Sequence, residues 1–222
     1  MIRKVVLDIE TTGLDYNIGD KIIEIGCVEL INNIPSTRTF HSYINPKKNI
    51  SLSAYKVHGI SNEYLSDKPK FKEIANSFID FLQDSQLIVH NAKFDIGFIN
   101  NELFLLGKSK ISYIDVIDTL PLARKRFPGL SVSLDSLCRK FNISLNNRIK
   151  HGALVDAKLL SQVYFKLIQG KQSSFSFYKS KENTNMQFTN FHFKYRIFQN
   201  SLKEEKEHKN MLKKIPNNLW NK

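Results

Sequence analysis

The chain has 222 residues, long enough to bury a full hydrophobic core, and one domain of roughly 150 to 200 residues with an appendage is expected. Its composition, 41% hydrophobic and 24% charged, excludes a wholly disordered protein. No apolar run reaches the ~18 residues that a membrane-spanning helix needs, and no signal-peptide pattern begins the chain, so a cytoplasmic protein without a membrane partner is predicted. The net charge of +12 favours phosphate-rich partners.

The first predicted element is a buried strand that carries two carboxylates. The stretch from Lys4 to Leu14 begins with β-branched and bulky apolar residues and ends in a glycine turn, which favours a strand over a helix. Side chains alternate along a strand, so Asp8 and Glu10 share one face. Like charges in a buried strand are costly unless they bind a cation, and carboxylates at this spacing suit Mg²⁺ or Mn²⁺. A solvated acidic face on an edge strand is the alternative that this stretch leaves open.

Two more strands and a helix are predicted next. Residues 21–31 and 37–44 have strand patterns, and a tight turn at Asn32 and Asn33 lies between them, which together predict an antiparallel meander. Residues 47–70 are rich in loop signals and contain a short helical segment. In residues 71–82 the apolar positions recur with the period of an amphipathic helix.

The middle of the chain alternates strands with helices and adds acidic residues at their junctions. Residues 86–90 predict a strand and residues 96–106 a helix, with Asp95 between them. Taken alone, Asp95 at such a junction is better explained as a helix N-cap than as a ligand. Residues 113–117 predict a fifth strand, and we interpret the following Asp118 as a structural cap.

A histidine and an aspartate near the end of the predicted domain form the last candidate pair. On a regular helix, positions five apart point ~140° away from each other, so His151 and Asp156 converge only if His151 precedes the helix. Gly152 provides a flexible joint for that arrangement. With an unperturbed pKa near 6.5, a histidine beside a metal site suits a general base. A lone exposed histidine at a helix start is the alternative.

Taken together, three segments resemble the exonuclease motifs of the DEDDh family of 3′→5′ exonucleases: Asp8-x-Glu10, His90 to Asp95, and His151-x4-Asp156. Over about residues 2 to 170 the chain is also similar to the epsilon proofreading subunits of bacterial DNA polymerase III, in the segments Lys21 to Gly26, Val57 to Ile60 and His151 to Ala157. The resemblance implies an α/β, ribonuclease H-like fold with a five-stranded mixed sheet flanked by helices. Residues 1–170 would form this domain, and residues 171–222 a flexible C-terminal segment.

The resemblance also implies an activity, the hydrolysis of mispaired 3′-terminal nucleotides from DNA to 5′-mononucleotides by a two-metal mechanism. It assigns two divalent cations, Mg²⁺ or Mn²⁺, to four ligands, and it makes His151 the general base. The ligands are Asp8, Glu10, Asp95 and Asp156. The expected substrate contacts are Asp8, Glu10, Thr11, Leu14, Ser53, His58 and Asp156. Ser53 departs from the family pattern, because a glutamate that contacts the terminal nucleotide is common at that position.

The implied partners are a single-stranded 3′ end of DNA, the alpha subunit of the polymerase and the sliding clamp. Gln172 to Phe177 resembles the clamp-binding motif, and Leu219 with Trp220 resembles the polymerase-binding tail. A small third core subunit is a further candidate partner. Two alternatives have different signatures. A stand-alone DEDDh exonuclease acting on RNA or single-stranded DNA would lack the docking tail, and a non-catalytic polymerase-stabilising subunit would not need four acids and a histidine together.

Overall fold

A computed structural model describes residues 2–145, 150–169 and 201–214. Its centre is a sheet of five strands in the order β3-β2-β1-β4-β5. The strands β2 and β3 run antiparallel to their neighbours, whereas β4 and β5 run parallel to β1. The predicted meander and the predicted mixed sheet are therefore confirmed. The strand bounds are β1 Arg3–Thr11, β2 Ile22–Ile31, β3 Ile34–Tyr43, β4 Gln86–Val89 and β5 Val116–Asp118.

Helices connect the strands and follow the sheet, which makes the domain α/β as predicted. Their bounds are α1 Leu52–His58, α2 Asn62–Leu65, α3 Phe71–Leu82, α4 Ala92–Leu105, α5 Thr119–Arg126, α6 Leu134–Lys140 and α7 Ala153–Gln169. Helix α8, Leu202–Leu212, belongs to a separate unit of the chain and begins with a capping box between Ser201 and Glu204. Within the described ranges, no helix is long and apolar enough to cross a bilayer. The clamp-like and tail motifs at Gln172 to Phe177 and at Leu219 and Trp220 lie outside the described residues.

The two faces of the sheet are covered by different helices. The odd-numbered apolar residues of β1, such as Leu7, pack with α3 and α4 in the larger core cluster. On the other face, Val6 packs with Val28 and with Leu160 of α7. Because side chains alternate along a strand, Asp8 and Glu10 lie on the face that α7 covers.

The prediction of the fifth strand is partly wrong. Residues 113–117 were expected to be extended, but Tyr113–Asp115 forms a 3₁₀ turn and only Val116–Asp118 pairs with β4. The cause is local, because the Ser112 hydroxyl accepts a hydrogen bond from the backbone N–H of Ile114 and so caps a turn before the chain reaches the sheet.

Candidate active site

A glycine in the middle of β2 lets α7 approach the sheet beside the acidic pair. Gly26 is the cross-strand partner of Asp8. A Cβ at Gly26 would stand 2.2 Å from the backbone nitrogen of Leu154 and 2.3 Å from the carbonyl carbon of Ala153. The first turn of α7 therefore rests directly on the strand, at a distance that only glycine permits. This contact brings Asp156, which lies in that first turn, to the face that carries Asp8 and Glu10.

The predicted convergence of His151 and Asp156 is present. Helix α7 begins at Ala153, so His151 precedes it, and His151 Nδ1 lies 3.0 Å from Asp156 Oδ2. Ligand atoms of Glu10, His151 and Asp156 all lie within 4.8 Å of one another. Asp156 is only 3% exposed, whereas the His151 side chain is 42% exposed. The site thus combines a buried carboxylate with an imidazole that solvent can reach.

Asp95 occupies a different position from the one predicted. Helix α4 begins at Ala92, so Asp95 lies inside its first turn, and the N-cap is Asn91 in a left-handed conformation with φ of 75°. The N-cap explanation of Asp95 is therefore wrong. The Asp95 side chain is buried, and this burial raises the pKa of its carboxyl, with a further rise from the nearby charge of Glu10. Backbone amide groups of Ile9 and of Asp95 itself oppose the rise.

Asp118, at the end of β5, accepts hydrogen bonds at the starts of both α5 and α4. Its Oδ1 accepts from the N–H of Leu120 at 2.9 Å, which confirms the predicted structural cap. The same carboxylate also accepts from the N–H groups of Asn91 at 3.0 Å and Ala92 at 3.1 Å. This second role was missed, because nothing in the sequence shows that residue 118 lies against residue 91. With α4 capped by Asp118, Asp95 remains to face Glu10.

A cavity of about 280 Å³ lies between the turn after β1 and helix α1. We call it the substrate cavity. The turn and the helix are joined by a hydrogen bond from the N–H of Ser51, the N-cap of α1, to the carbonyl of Thr12 at 2.9 Å. The cavity is lined by most of the predicted substrate contacts: Glu10, Thr11, Leu14, Ser53 and His58. A larger cavity of about 810 Å³ opens at the start of β4 and is lined by none of the predicted site residues.

The histidine of the substrate cavity is held as a neutral hydrogen-bond donor. His58 is the last residue of α1 and is 5% exposed. Its Nδ1 accepts a hydrogen bond from the N–H of Ile60 at 3.0 Å, which places the ring proton on Nε2. Burial lowers the pKa of His58, and this effect exceeds the opposing influence of the Glu24 carboxylate. An N–H donor suits contact with a sugar or phosphate oxygen.

The donor set fits hard divalent cations. Oxygen ligands predominate, and two of the predicted ligands, Asp95 and Asp156, are 4% and 3% exposed. Buried carboxylates close to further acids are stabilised by a cation, since water cannot solvate their charge. Ligand atoms of Glu10, Asp156 and His151 lie close enough together to share one ion, and Asp8 and Asp95 are not part of that group of three. Mg²⁺ and Mn²⁺ prefer such carboxylate ligands to thiolates.

Comparison with known proteins identifies the family. Residues 5–164 match the Exonuclease family. A DNA polymerase III subunit epsilon from Rickettsia prowazekii is 48% identical over 187 residues, which cover 83% of this chain and 82% of the relative. The chain belongs to the epsilon subunits of the exonuclease family. An epsilon subunit from Buchnera aphidicola of Acyrthosiphon pisum is 42% identical over 237 residues, 99% of this chain and 98% of that relative. Similarity to this epsilon subunit therefore extends into the C-terminal segment.

Solved structures support the fold of this epsilon-family chain. The nuclease domain of 3′hExo, described as a DEDDh family member bound to rAMP, superimposes with a TM-score of 0.62 at 17% identity, over 76% of this chain and 92% of that domain. The ribonuclease H-like fold is thereby confirmed. The epsilon-family chain is a proofreading 3′→5′ exonuclease, and DEDDh exonucleases use divalent metal ions.

Proposed function

We propose that the chain removes single nucleotides from the 3′ end of single-stranded DNA, as 5′-mononucleotides, while it is part of a replicative polymerase. The observation that carries this proposal is the convergence of Glu10, His151 and Asp156 within 4.8 Å. Glu10 also lines the substrate cavity. A strand end that enters this cavity would therefore bring its last phosphodiester to the acidic cluster.

Two divalent cations, Mg²⁺ or Mn²⁺, would be held by Asp8, Glu10, Asp95 and Asp156. When bound, the cations supply positive charge to the phosphodiester anion and activate a water for attack. The carboxylates come from three separate elements, β1, α4 and α7, whose packing sets their positions before any ligand arrives. Asp95 is the buried ligand that α4 contributes, and we assign it the role of orienting the cluster.

His151 would act as the general base. Its Nδ1 is held by Asp156 at 3.0 Å, and we assign proton acceptance from the attacking water to Nε2. Because the side chain is 42% exposed, the proton can pass onward to solvent. The pairing with Asp156 orients the ring and stabilises the imidazolium that forms.

The substrate cavity would hold the terminal nucleotide. The N–H of His58 would contact this nucleotide, Thr11 and Leu14 would pack beside its sugar and base, and the Ser53 hydroxyl would stand where relatives commonly have a glutamate. Such contacts do not read base edges, so discrimination arises because a mispaired end frays and reaches the nuclease as a single strand. The cavity selects strand ends rather than particular bases.

Family membership and the C-terminal motifs support a proposal for the specific partners. We propose that Leu219 and Trp220 belong to a segment that binds the polymerase alpha subunit, and that Gln172 to Phe177 bind the sliding clamp as an extended peptide. Residues 1–170 would act as the nuclease and 171–222 as the docking segment, in the cytoplasm.

Comparative cleavage tests this function. The wild-type chain and Asp8→Asn are incubated with 5′-labelled DNA and RNA oligomers of one sequence, and the products are sized. We expect a ladder shortened from the 3′ end, deoxynucleoside 5′-monophosphates as products and faster cleavage of DNA than RNA, with Asp8→Asn inactive on both. Faster cleavage of RNA would favour the exoribonuclease alternative, and an inactive wild type would favour the non-catalytic one.

A further inference from the structure

A lysine next to the predicted general base reaches helix α1, which lines the substrate cavity. Lys150 directly precedes His151 and is exposed. Its ammonium lies 5.4 Å from the centroid of the Tyr55 ring on α1. Its side chain passes over Gly59, where a Cβ would stand 2.3 Å from both Cδ and Nζ of the lysine. The Lys150 side chain therefore extends from the segment just before α7 to helix α1, which lines the cavity.

A backbone hydrogen bond and a charge effect also link the same parts of the chain. The backbone N–H of His151 donates to the carbonyl of Val57 at 3.4 Å. The Lys150 ammonium also contributes to lowering the pKa of His58, so its charge acts at the wall of the substrate cavity. Val57, which lines the cavity, and Tyr55 are 48% and 42% exposed. An exposed cation and an exposed aromatic ring thus lie beside residues of the cavity wall.

A cation next to an aromatic ring is a surface that binds single-stranded nucleic acids. Bases stack on aromatic rings whatever their identity, and phosphates attract cations. The substrate cavity, at about 280 Å³, is at the small end of ligand pockets and suits one nucleotide. The next nucleotide of a bound strand must therefore lie outside it. Lys150 and Tyr55 are an exposed cation and an exposed ring that each adjoin a site residue in the chain, since Tyr55 follows Ala54 of the cavity lining and Lys150 precedes His151.

We propose that Lys150 and Tyr55 form the binding subsite for the penultimate nucleotide. Tyr55 stacks on its base, and Lys150 contacts the first phosphate upstream of the scissile one. The proposal of this subsite rests on the proposed function. It adds that the enzyme binds at least the last two nucleotides of a strand. Lys150 is adjacent to His151 in the chain. The same short segment therefore binds the strand and positions the catalytic histidine.

Two substrates separate this role from a general effect on the site. One is a single-stranded oligodeoxynucleotide, and the other is an aryl ester of thymidine 5′-monophosphate, which has a scissile phosphodiester and no upstream nucleotide. Lys150→Gln should raise the KM for the oligomer and reduce the slope of log KM against log salt by about 0.7, the value for one phosphate of a single strand. Tyr55→Ala should raise the KM about tenfold through lost stacking. Both variants should cleave the ester at the wild-type rate.

The matched control is Lys110→Gln. Lys110 is also an exposed lysine over an exposed ring, 5.1 Å from the centroid of Phe104, but it follows α4 near the start of β4, at the end of the sheet away from the site. This variant should leave both substrates unaffected. The subsite is refuted if Lys150→Gln keeps the wild-type salt slope, or if it slows the ester as much as the oligomer. Failure of the wild type to cleave the ester would instead count against the proposed function.

Discussion

The backbone of Leu154 occupies the space that a side chain at position 26 would need. The nearest approach would be 2.2 Å from a Cβ on Gly26 to the Leu154 nitrogen. This contact sets the height of α7 above the sheet, and with it the position of Asp156 relative to Asp8 and Glu10. The glycine is thus a structural requirement of the site, although it carries no chemistry.

Gly26→Ala should therefore damage both stability and activity. Overpacking of this kind typically costs about 1–3 kcal/mol of unfolding free energy. A displacement of Asp156 by a fraction of an ångström or more should also lower the turnover by up to about 10²-fold. Thermal unfolding and single-turnover cleavage measure the two effects. Thr39→Ala, at an exposed position of β3, is the control. A fully active and fully stable Gly26→Ala would show that α7 does not depend on this contact.

His151→Ala should lose most of the rate and keep the binding of DNA. Removing a general base typically costs about 10² to 10⁴ in rate. Since Asp156 stays in place, metal binding should survive. Pre-steady-state cleavage and fluorescence anisotropy with a labelled single strand give the two quantities, and His208→Ala, exposed on α8, is the control. Turnover of His151→Ala equal to that of the wild type between pH 6 and 9 would reduce the histidine to a structural residue.

Asp95 should make the metal-free protein less stable as the pH rises. Burial and Glu10 raise the pKa of Asp95 to about 8, far above its value near 4 in an unfolded chain. Between these values the folded state binds a proton that the unfolded state has released, so the unfolding free energy falls with rising pH. Asp95→Asn stays neutral and should show a smaller decline. Melting temperatures in EDTA from pH 5 to pH 8 compare the two, and parallel curves would contradict the burial argument.

Local patterns in the sequence were sufficient to predict the catalytic residues. The long-range contacts that position those residues could not be predicted from such patterns. Asp8 and Glu10 could be placed on one face because strand periodicity is a local property, and the same holds for the convergence of His151 with Asp156 across a helix start. The cap of α4 could not be predicted, since it comes from Asp118. The same limit applies to the pair of Lys150 and Tyr55, which are far apart in the chain. A glycine inside the strand pattern Lys21 to Ile31 was the available signal for the close approach of α7.

The C-terminal segment should contain two separable docking motifs. Phe175 and Phe177 follow Gln172 at the spacing of a clamp-binding peptide, so Phe175→Ala with Phe177→Ala should weaken clamp binding alone. Deletion from Asn190 to Lys222 should release the polymerase, because it removes Trp220 and its large apolar surface. Cleavage of free single strands should be unchanged in both. Pull-downs against polymerase and clamp provide the readout, and full polymerase affinity after the deletion would favour a stand-alone exonuclease.

The most direct measurement compares two primer–template duplexes that differ only in whether the 3′-terminal base is paired. With Mg²⁺ present, the wild-type chain should remove the mispaired nucleotide faster, because a frayed end enters the substrate cavity more often. Glu10→Gln, which lacks a carboxylate of the cluster, should remove neither. Equal rates on the two duplexes, or undiminished cleavage by Glu10→Gln, would contradict a proofreading site built on these carboxylates.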